Sequence, residues 1–296
     1  MWRHAAARQG ALSAQERTRM SVHWILAFLL LAAGWQQGEP APQKGSDAKT
    51  PYVEKSEKQF AFYPGGKIEI SAAAPGSFKV VGWQNASVRV EIEKVFFYLA
   101  PEEAQAVSRH YPARVTNTPT SARISTSGTP KPGAMMEVNV QVYVPRERTD
   151  LSIKMIKGDL SVASLSGSIE ATLEDGNIDA KDLAGYFSGI TKRGDLIVEL
   201  SGSSWRGYGF IAATRRGSIE FKLPVDYSAA LRLETGDGKI SVDFPEQMVE
   251  GELVPLPVVA KKKARSVSAP VGAGGPSIKL KTLSGDIILT GTGRKN

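Results

Sequence analysis

The sequence predicts an all-β protein whose C-terminal half is a repeat of stacked strands. Its 296 residues are 42% hydrophobic and 23% charged, a typical globular composition that excludes a wholly disordered chain. Short apolar segments, 29 glycines and 17 prolines favour strands joined by turns over long helices. From Gly158 to Gly194 a glycine recurs every nine residues, which is an internal repeat. The chain has no cysteine, which excludes disulfides, thiolate metal sites and cysteine nucleophiles.

Residues 1–34 are predicted to form a secretory signal peptide. An unbroken apolar run over residues 24–33 follows basic residues and precedes small residues and prolines, which is the usual layout of such a leader. The run is about half the length of roughly 20 residues that spans a bilayer. We therefore expect cleavage near Ala33 or Gly34 and no transmembrane segment afterwards. Met20, just upstream of the run, is an alternative translation start.

The leader predicts an exported protein without a lipid anchor. The residues before Trp35 resemble the approach to a bacterial lipoprotein cleavage site, but the tryptophan stands where the lipidated cysteine would have to be. Without that sulfur no lipid can be attached. Export of a chain without disulfides is compatible with the periplasm, the outer surface and secretion, and the sequence does not choose among them.

Residues 35–57 and 58–150 are predicted to be a flexible linker and an N-terminal β-strand region. The first segment is rich in Gln, Pro, Lys and Ser, with little that can be buried. In the second, apolar residues alternate with polar ones, most clearly from Met136 to Val144, which predicts half-buried strands. One short helix is expected to begin at Pro101, where proline and two glutamates precede good helix formers.

Residues 151–292 are predicted to be a β-repeat region. Each nine-residue unit places a large apolar residue two positions after its glycine and a small or β-branched one two positions later. The large residues are Leu160, Ile169, Ile178, Phe187 and Leu196. Such a unit is too small to bury a core by itself, so stability must come from stacking the units. The unit returns less regularly at Gly217, Gly238 and Gly285.

Two architectures are compatible with this repeat. In the preferred one, two units of together about 18 residues form one turn of a right-handed, parallel, β-helix-like solenoid, with residues 58–150 as its cap. In the alternative, the same strands form a twisted antiparallel β-sandwich with the glycines at hairpin corners. Residues 245–276, rich in Pro, Lys, Ala, Gly and Ser, are expected to be a mobile loop.

The charge of the chain does not predict a nucleic-acid-binding surface. The leader carries +3 of the formal net charge of +7. Four residues of the predicted loop, Lys261, Lys262, Lys263 and Arg265, account for the remaining +4. This basic segment is expected to be a solvated loop or, alternatively, a weak electrostatic contact with anionic lipid headgroups or surface polysaccharide.

The order of the segments resembles a known family. A strand near Ile68 is followed by segments 80–83, 88–92, 142–145, 158–160 with its repeats, and 283–287. Over about residues 60–292 this series is similar to the bacterial putative-adhesin family of β-strand repeat proteins, the DUF4097 group. The resemblance implies an exported, repeat-built β protein, often on a cell envelope, whose biochemical role is undefined. The insertion at 245–276 departs from the compact pattern of the family.

Few residues of the sequence point to chemistry. Without the leader, His110 is the sole histidine, and it follows the predicted helix, where it is expected to be exposed. Repeats of nine residues with glycine and aspartate can bind calcium, and aspartates occur in this region at Asp159, Asp175, Asp179, Asp195, Asp237 and Asp286. Calcium-binding repeats need paired glycines before the acid, and these units have one. We therefore expect the acids to stabilise turns and predict no cofactor, with a calcium site between adjacent turns as the alternative.

An aromatic cluster is the remaining candidate contact for a ligand. Trp205, Arg206 and Tyr208 lie in a short stretch punctuated by glycine, and such rings can stack on a sugar or a peptide. The alternative is that the rings fill the core of one irregular turn. Lys261, Lys262 and Lys263 are the other candidate contacts.

The sequence predicts an exported, non-enzymatic, adhesin-like interaction scaffold of the cell envelope. The expected partner is an envelope or surface protein or a polysaccharide, through a flat strand face or the basic loop. One alternative is a hydrolase or lyase that acts on polysaccharide, which would need a carboxylate pair about 5 to 10 Å apart in a groove. Another is a structural envelope component that associates with itself through exposed strand edges.

Overall fold

The described part of the chain contains β-strands and one helix. The computed structural model describes residues 51–128, 136–243, 247–249, 252–254 and 266–293. The predicted leader, the linker up to residue 50 and the basic residues Lys261–Lys263 lie outside the described residues. The all-β prediction is confirmed.

The strands of the N-terminal region surround helix α1 (Pro101–Ser108) in the sequence. They are β1 (Tyr52–Ala61), β2 (Lys67–Ala72), β3 (Phe78–Trp83), β4 (Ser87–Phe96), β5 (Ala113–Asn117), β6 (Ser121–Thr126), β7 (Met136–Pro145) and β8 (Asp150–Lys157). The helix begins at Pro101 as the sequence predicts, and the Ala100 amide donates a hydrogen bond to the Glu103 carboxylate at 3.3 Å.

The repeat region continues with two long strands and a series of shorter ones. They are β9 (Leu160–Asp175), β10 (Ile178–Arg193), β11 (Leu196–Glu199), β12 (Gly209–Arg216), β13 (Ile219–Pro224), β14 (Ala229–Thr235), β15 (Ile240–Asp243), β16 (Gln247–Val249), β17 (Glu252–Val254), β18 (Ser266–Val271), β19 (Ser277–Ser284) and β20 (Ile287–Thr292). Strands β16 and β17 pair with each other as a separate hairpin.

The remaining strands form two laterally hydrogen-bonded series that share β9 and β10. The first series runs β1, β4, β7, β3, β9, β10, β11, β13, β20, β15. The second runs β5, β6, β2, β8, β9, β10, β12, β19, β14, β18. Pairing is parallel except next to β1, β4, β5 and β18. Strand β19 thus lies between β12 and β14, and strand β20 lies between β13 and β15.

Parallel pairing in the regular repeats joins residues 18 positions apart. Ile178 of β10 pairs with Leu160 of β9, and Phe187 pairs with Ile169. These four side chains are at most 1% exposed. Two nine-residue units therefore separate each residue from its lateral partner, so successive units contribute to different series. The large apolar residue of each unit points inward, as the stacking prediction requires.

The first strand begins earlier than the sequence predicts. Strand β1 starts at Tyr52, inside the segment predicted as a linker to residue 57, and pairs with β4 along its whole length. Most of its side chains are exposed, because it is the outermost described strand of its series. Its backbone hydrogen bonds hold it, and its charged side chains suit an edge strand. The polar composition that predicted a linker is therefore the composition of an edge strand.

Part of the predicted mobile loop is also a strand. Residues 266–271 form β18, which pairs antiparallel with β14 and buries Ala269 and Val271. Inward residues alternate here as in the other strands, but they are small and lie among Ser and Pro, so composition suggested a loop. The loop prediction for 245–276 is therefore wrong for residues 266–271, and also for the β16–β17 hairpin at residues 247–249 and 252–254.

Candidate functional site

Trp205, predicted as a ligand contact, lies in the core. It is 3% exposed, and its indole Nε1 donates a hydrogen bond to the Gly185 carbonyl at 3.2 Å. Its ring meets the edge of the Phe210 ring with centroids 5.1 Å apart. A buried ring cannot stack on an external sugar, so this assignment is wrong. The second interpretation of the cluster, that its rings fill an irregular turn, fits Trp205.

The other predicted contact residues have different surroundings. Tyr208 is 97% exposed, and Arg206 is exposed beside it. Burial raises the pKa of the Tyr227 hydroxyl above its usual range, and the positive charge of Arg206 partly opposes that shift. Lys261, Lys262 and Lys263 lie outside the described residues. A contact through Arg206 and Tyr208 remains a prediction, without the tryptophan platform.

The polar residues that follow the repeat glycines form a ladder of hydrogen bonds along one corner. The Asn177 amide donates to Asp159 Oδ1 at 2.8 Å, and the Asp195 amide donates to Asn177 Oδ1 at 2.8 Å. The ladder continues as the Ser218 amide donates to Asp195 Oδ1 at 2.7 Å. Each side chain therefore accepts a hydrogen bond from the corresponding corner of the laterally adjacent strand, 18 or 23 positions later, and not from its own turn as the sequence predicts.

Replacing Asn177 with alanine is expected to lower the free energy of unfolding by about 1 kcal/mol, because the Asp195 amide loses its acceptor and must bond water instead. Asn177→Asp keeps an oxygen at the same position and is the matched control, with less than about half that loss. Urea denaturation of the two variants measures the difference. Equal stability of Asn177→Ala and the parent protein would remove the structural role of the ladder.

A shallow groove lies on the outer face of β1, β3, β4 and β7. Its volume is about 530 Å³. It is lined by Lys55, Ser56, Glu57, Ser77, Lys79, Glu91, Ile92, Glu93, Asn139, Val140 and Gln141, which we call the strand groove. The register explains the composition, because Glu57, Glu91, Gln141 and Lys79 stand side by side on four neighbouring strands. These four residues occupy outward-facing positions of strands whose inward-facing positions are apolar.

Most charges of the strand groove are partnered. The Lys55 ammonium lies 2.9 Å from a Glu93 carboxylate oxygen, and this hydrogen bond holds the pKa of Lys55 above its usual range. Asn139 Oδ1 accepts hydrogen bonds from the Ser77 amide at 2.9 Å and the Ser77 hydroxyl at 2.8 Å. Glu57 is the lateral partner of Glu91. Among the described residues, no cation lies within ion-pair distance of Glu57. The groove thus presents carboxylates, amides and ammonium groups, which suit a ligand rich in hydroxyls or amides.

An arginine stacked on two aromatic rings lies next to the strand groove. The Arg89 guanidinium carbon lies 4.3 Å from the centre of the Tyr143 ring and 5.3 Å from that of Trp83. Arg89 Nε is also 3.1 Å from a Glu91 carboxylate oxygen. This stacking restricts the guanidinium and the rings together. The cluster adjoins the groove, because Arg89 contacts the lining residue Glu91 and Tyr143 contacts the lining residue Gln141.

The strand groove is not among the sites that the sequence predicts. The signal that could have found it is the polar half of the alternation in β4 and β7, where Glu91, Glu93, Asn139 and Gln141 occupy outward positions. Lateral pairing of β1 with β4 was also required, and β1 had the composition of a linker.

Two further observations concern only the residues that the structure describes. None of their helices is long and apolar enough to cross a membrane. Nor do three or more of their His, Asp or Glu side chains come together as a metal-binding group. His110 Nδ1 lies 3.0 Å from the Ala106 carbonyl at the end of α1, the helix-end position that the sequence indicates.

Comparisons with known proteins give structural similarities at low identity. No protein-family model matches the chain, and no curated protein matches it. A putative cell adhesion protein from Clostridium sporogenes is 11% identical with a TM-score of 0.44, over 81% of this chain and 100% of that one. A putative adhesin from Bacteroides fragilis is 11% identical with a TM-score of 0.30, over 80% and 97%. A putative lipid binding protein from Parabacteroides distasonis is 10% identical with a TM-score of 0.22, over 80% and 95%.

Proposed function

We propose that the chain is an exported, non-enzymatic, adhesin-like scaffold of the cell envelope that binds a partner through an outer strand face. The observation that supports this most is the strand groove, an open cavity of about 530 Å³ on a rigid sheet, lined by carboxylates, amides and lysines. Such a surface fits one extended strand of a polysaccharide or peptide. Membership of the putative-adhesin group is part of the proposal, and the repeats quoted above support it.

The scaffold is proposed to be a right-handed parallel β-solenoid over residues 151–292, capped by the N-terminal strands. The parallel offset of 18 residues between β9 and β10 supports this, because two nine-residue units then complete one turn. The shared strands support it as well, since β9 and β10 each pass from one series to the other. The antiparallel β-sandwich is the competing arrangement, and it would place successive units side by side.

Binding to isolated cell envelopes tests the proposed function. The double variant Glu57→Gln/Lys79→Ala removes two groove charges that have no described ion-pair partner, and its binding is expected to fall at least about tenfold, or about 1.4 kcal/mol. The matched control is Glu170→Gln/Lys154→Ala, which makes the same changes on exposed positions of β9 and β8. Equal binding by the two variants would contradict a role for the groove.

A polysaccharide hydrolase or lyase is the second candidate function. One observation favours it, because Glu57 and Glu91 are direct lateral partners inside the groove. Paired carboxylates of this kind are the machinery of glycoside cleavage. Release of new reducing ends from envelope polysaccharide by the parent protein, abolished in Glu91→Gln, would establish this candidate over the binding scaffold.

Export is proposed from the leader, and sequencing the N-terminus of the protein from fractionated cells tests it. The proposal predicts an envelope or extracellular fraction and a first residue just after Ala33 or Gly34. A chain recovered from the cytoplasm with its N-terminal segment intact would overturn export, whatever the groove binds.

A further inference from the structure

The outer face of the second series carries basic side chains on three adjacent strands. Arg215 lies on β12, Lys279 on β19 and Arg232 on β14, and all three are exposed. Arg232 and Lys279 are direct lateral partners, so their side chains leave the sheet about 5 Å apart. We call these three residues the basic face.

The basic face lacks the acids that neutralise other cations of the sheet. Among the described residues, no carboxylate lies within ion-pair distance of Arg215, Arg232 or Lys279. The neighbouring Lys281 is neutralised, with its ammonium 2.8 Å from a Glu234 oxygen. On the outer face of the first series, by contrast, two strand lysines pair with acids two residues away on their own strand. The pairs are Lys181 with Asp179 and Lys222 with Glu220.

Like charges in direct lateral contact destabilise a sheet, so the Arg232–Lys279 pair disfavours the isolated fold. An anionic partner would relieve this repulsion. Exposed apolar side chains accompany the charges: Leu283 at the end of β19 is 52% exposed, and Ile190 on β10 is 40% exposed. Ile190 pairs laterally with Ala213, which pairs with Lys281. Cations and aliphatic groups therefore project together from one sheet face.

We propose that the basic face docks on an anionic phospholipid surface. A lipid surface is broad and nearly flat, as the outer face of a sheet is, and it offers phosphates to the cations and an interfacial layer to Leu283 and Ile190. A soluble acidic polymer would engage the cations only, whereas a lipid interface also takes up the exposed Leu283 and Ile190 side chains. The inference names a partner for the proposed envelope scaffold, and it uses a different face from the strand groove.

Vesicle sedimentation with the full chain tests the proposal. The triple variant Arg215→Gln/Arg232→Gln/Lys279→Gln is compared with Lys67→Gln/Arg109→Gln/Arg123→Gln, which removes the same number of arginines and lysines from exposed positions elsewhere. Vesicles of phosphatidylcholine alone and of phosphatidylcholine with phosphatidylglycerol are used. On anionic vesicles the basic-face variant is expected to partition on the order of 100-fold more weakly than the parent protein, and the control within about twofold of it.

The outcomes separate the proposal from its alternatives. Equal losses in both triple variants would mean that net charge alone drives partitioning, and would overturn the proposal. Binding to soluble dextran sulfate without partition onto anionic vesicles would overturn it in favour of a polymer. The groove variant Glu57→Gln/Lys79→Ala is expected to sediment with anionic vesicles like the parent protein, so failure of the groove function leaves this inference standing. The triple variant must melt no lower than the parent protein, because it loses a repulsive pair.

Discussion

Replacing Gly176 with alanine is expected to lower the free energy of unfolding by about 3–5 kcal/mol, a large share of the roughly 5–15 kcal/mol that stabilises a typical domain. Gly176 has a φ of +149°, which side-chain-bearing residues rarely adopt. A β carbon at this position would lie 1.9 Å from the Gly158 carbonyl oxygen of the adjacent strand. The three nearest atoms are all backbone atoms of Gly158, so no side-chain rotation relieves the clash.

The control for this prediction is Gly209→Ala. Gly209 lies in β12, and an added β carbon there would meet nothing within 4 Å. This variant is expected to change stability by less than about 0.5 kcal/mol. Denaturant unfolding of both variants gives the comparison. Similar stability of Gly176→Ala and Gly209→Ala would show that the strands do not approach each other at the glycine corner as described.

Replacing Phe210 with alanine is expected to cost about 3–5 kcal/mol through the cavity it leaves. The ring is fully buried and lies between three others. Its centroid is 4.7 Å from that of Phe187 in a stacked arrangement and 5.5 Å from that of Phe221, edge to face. Loss of the ring also removes the contact that holds Trp205 inward. These rings belong to strands of both series, so the cavity weakens contact between them.

Two measurements accompany the Phe210 variant. Tyr208→Ala removes a ring that is 97% exposed, two positions away, and is expected to change stability by less than about 0.5 kcal/mol. Tryptophan fluorescence of Phe210→Ala is expected to shift to longer wavelength as Trp205 gains solvent. An unchanged unfolding midpoint in Phe210→Ala would contradict the described aromatic core.

The local repeat was predictable from the sequence because its physics is local. A glycine every nine residues and a large apolar residue two positions later predicted that Leu160, Ile169, Ile178 and Leu196 point inward, and all four are buried. The hydrogen bonds of the following polar residues were not predictable in this way, because they join corners of adjacent strands 18 or 23 positions apart. Alternation also predicted the inward face of β7.

The order of the last strands was not predictable, because it depends on pairing between distant segments. Ile219 pairs with Leu196, 23 positions before it, and with Ile287, 68 positions after it. Strands β19 and β20 enter the series ahead of β14 and β15, which precede them in the chain. The local periodicity of the sequence does not indicate that β19 and β20 insert between strands that come earlier in the chain. The buried position of Trp205 was not predictable either. An aromatic residue in a glycine-rich segment is compatible with both a core position and a surface position.

Disulfide formation between introduced cysteines tests the central claim of parallel stacking at an 18-residue offset most directly. The chain has no cysteine of its own. Ser161 and Asp179 are outward-facing lateral partners on β9 and β10, so their α carbons lie within the span of a disulfide. Ser161→Cys/Asp179→Cys is expected to cross-link on mild oxidation. Ser161→Cys/Glu170→Cys is not expected to cross-link, because the two residues lie in different halves of β9, one paired with β3 in the first series and the other with β8 in the second. An antiparallel arrangement of successive units separates residues 161 and 179 by one strand. Cross-linking of 161 to 170 but not of 161 to 179 would therefore contradict the account.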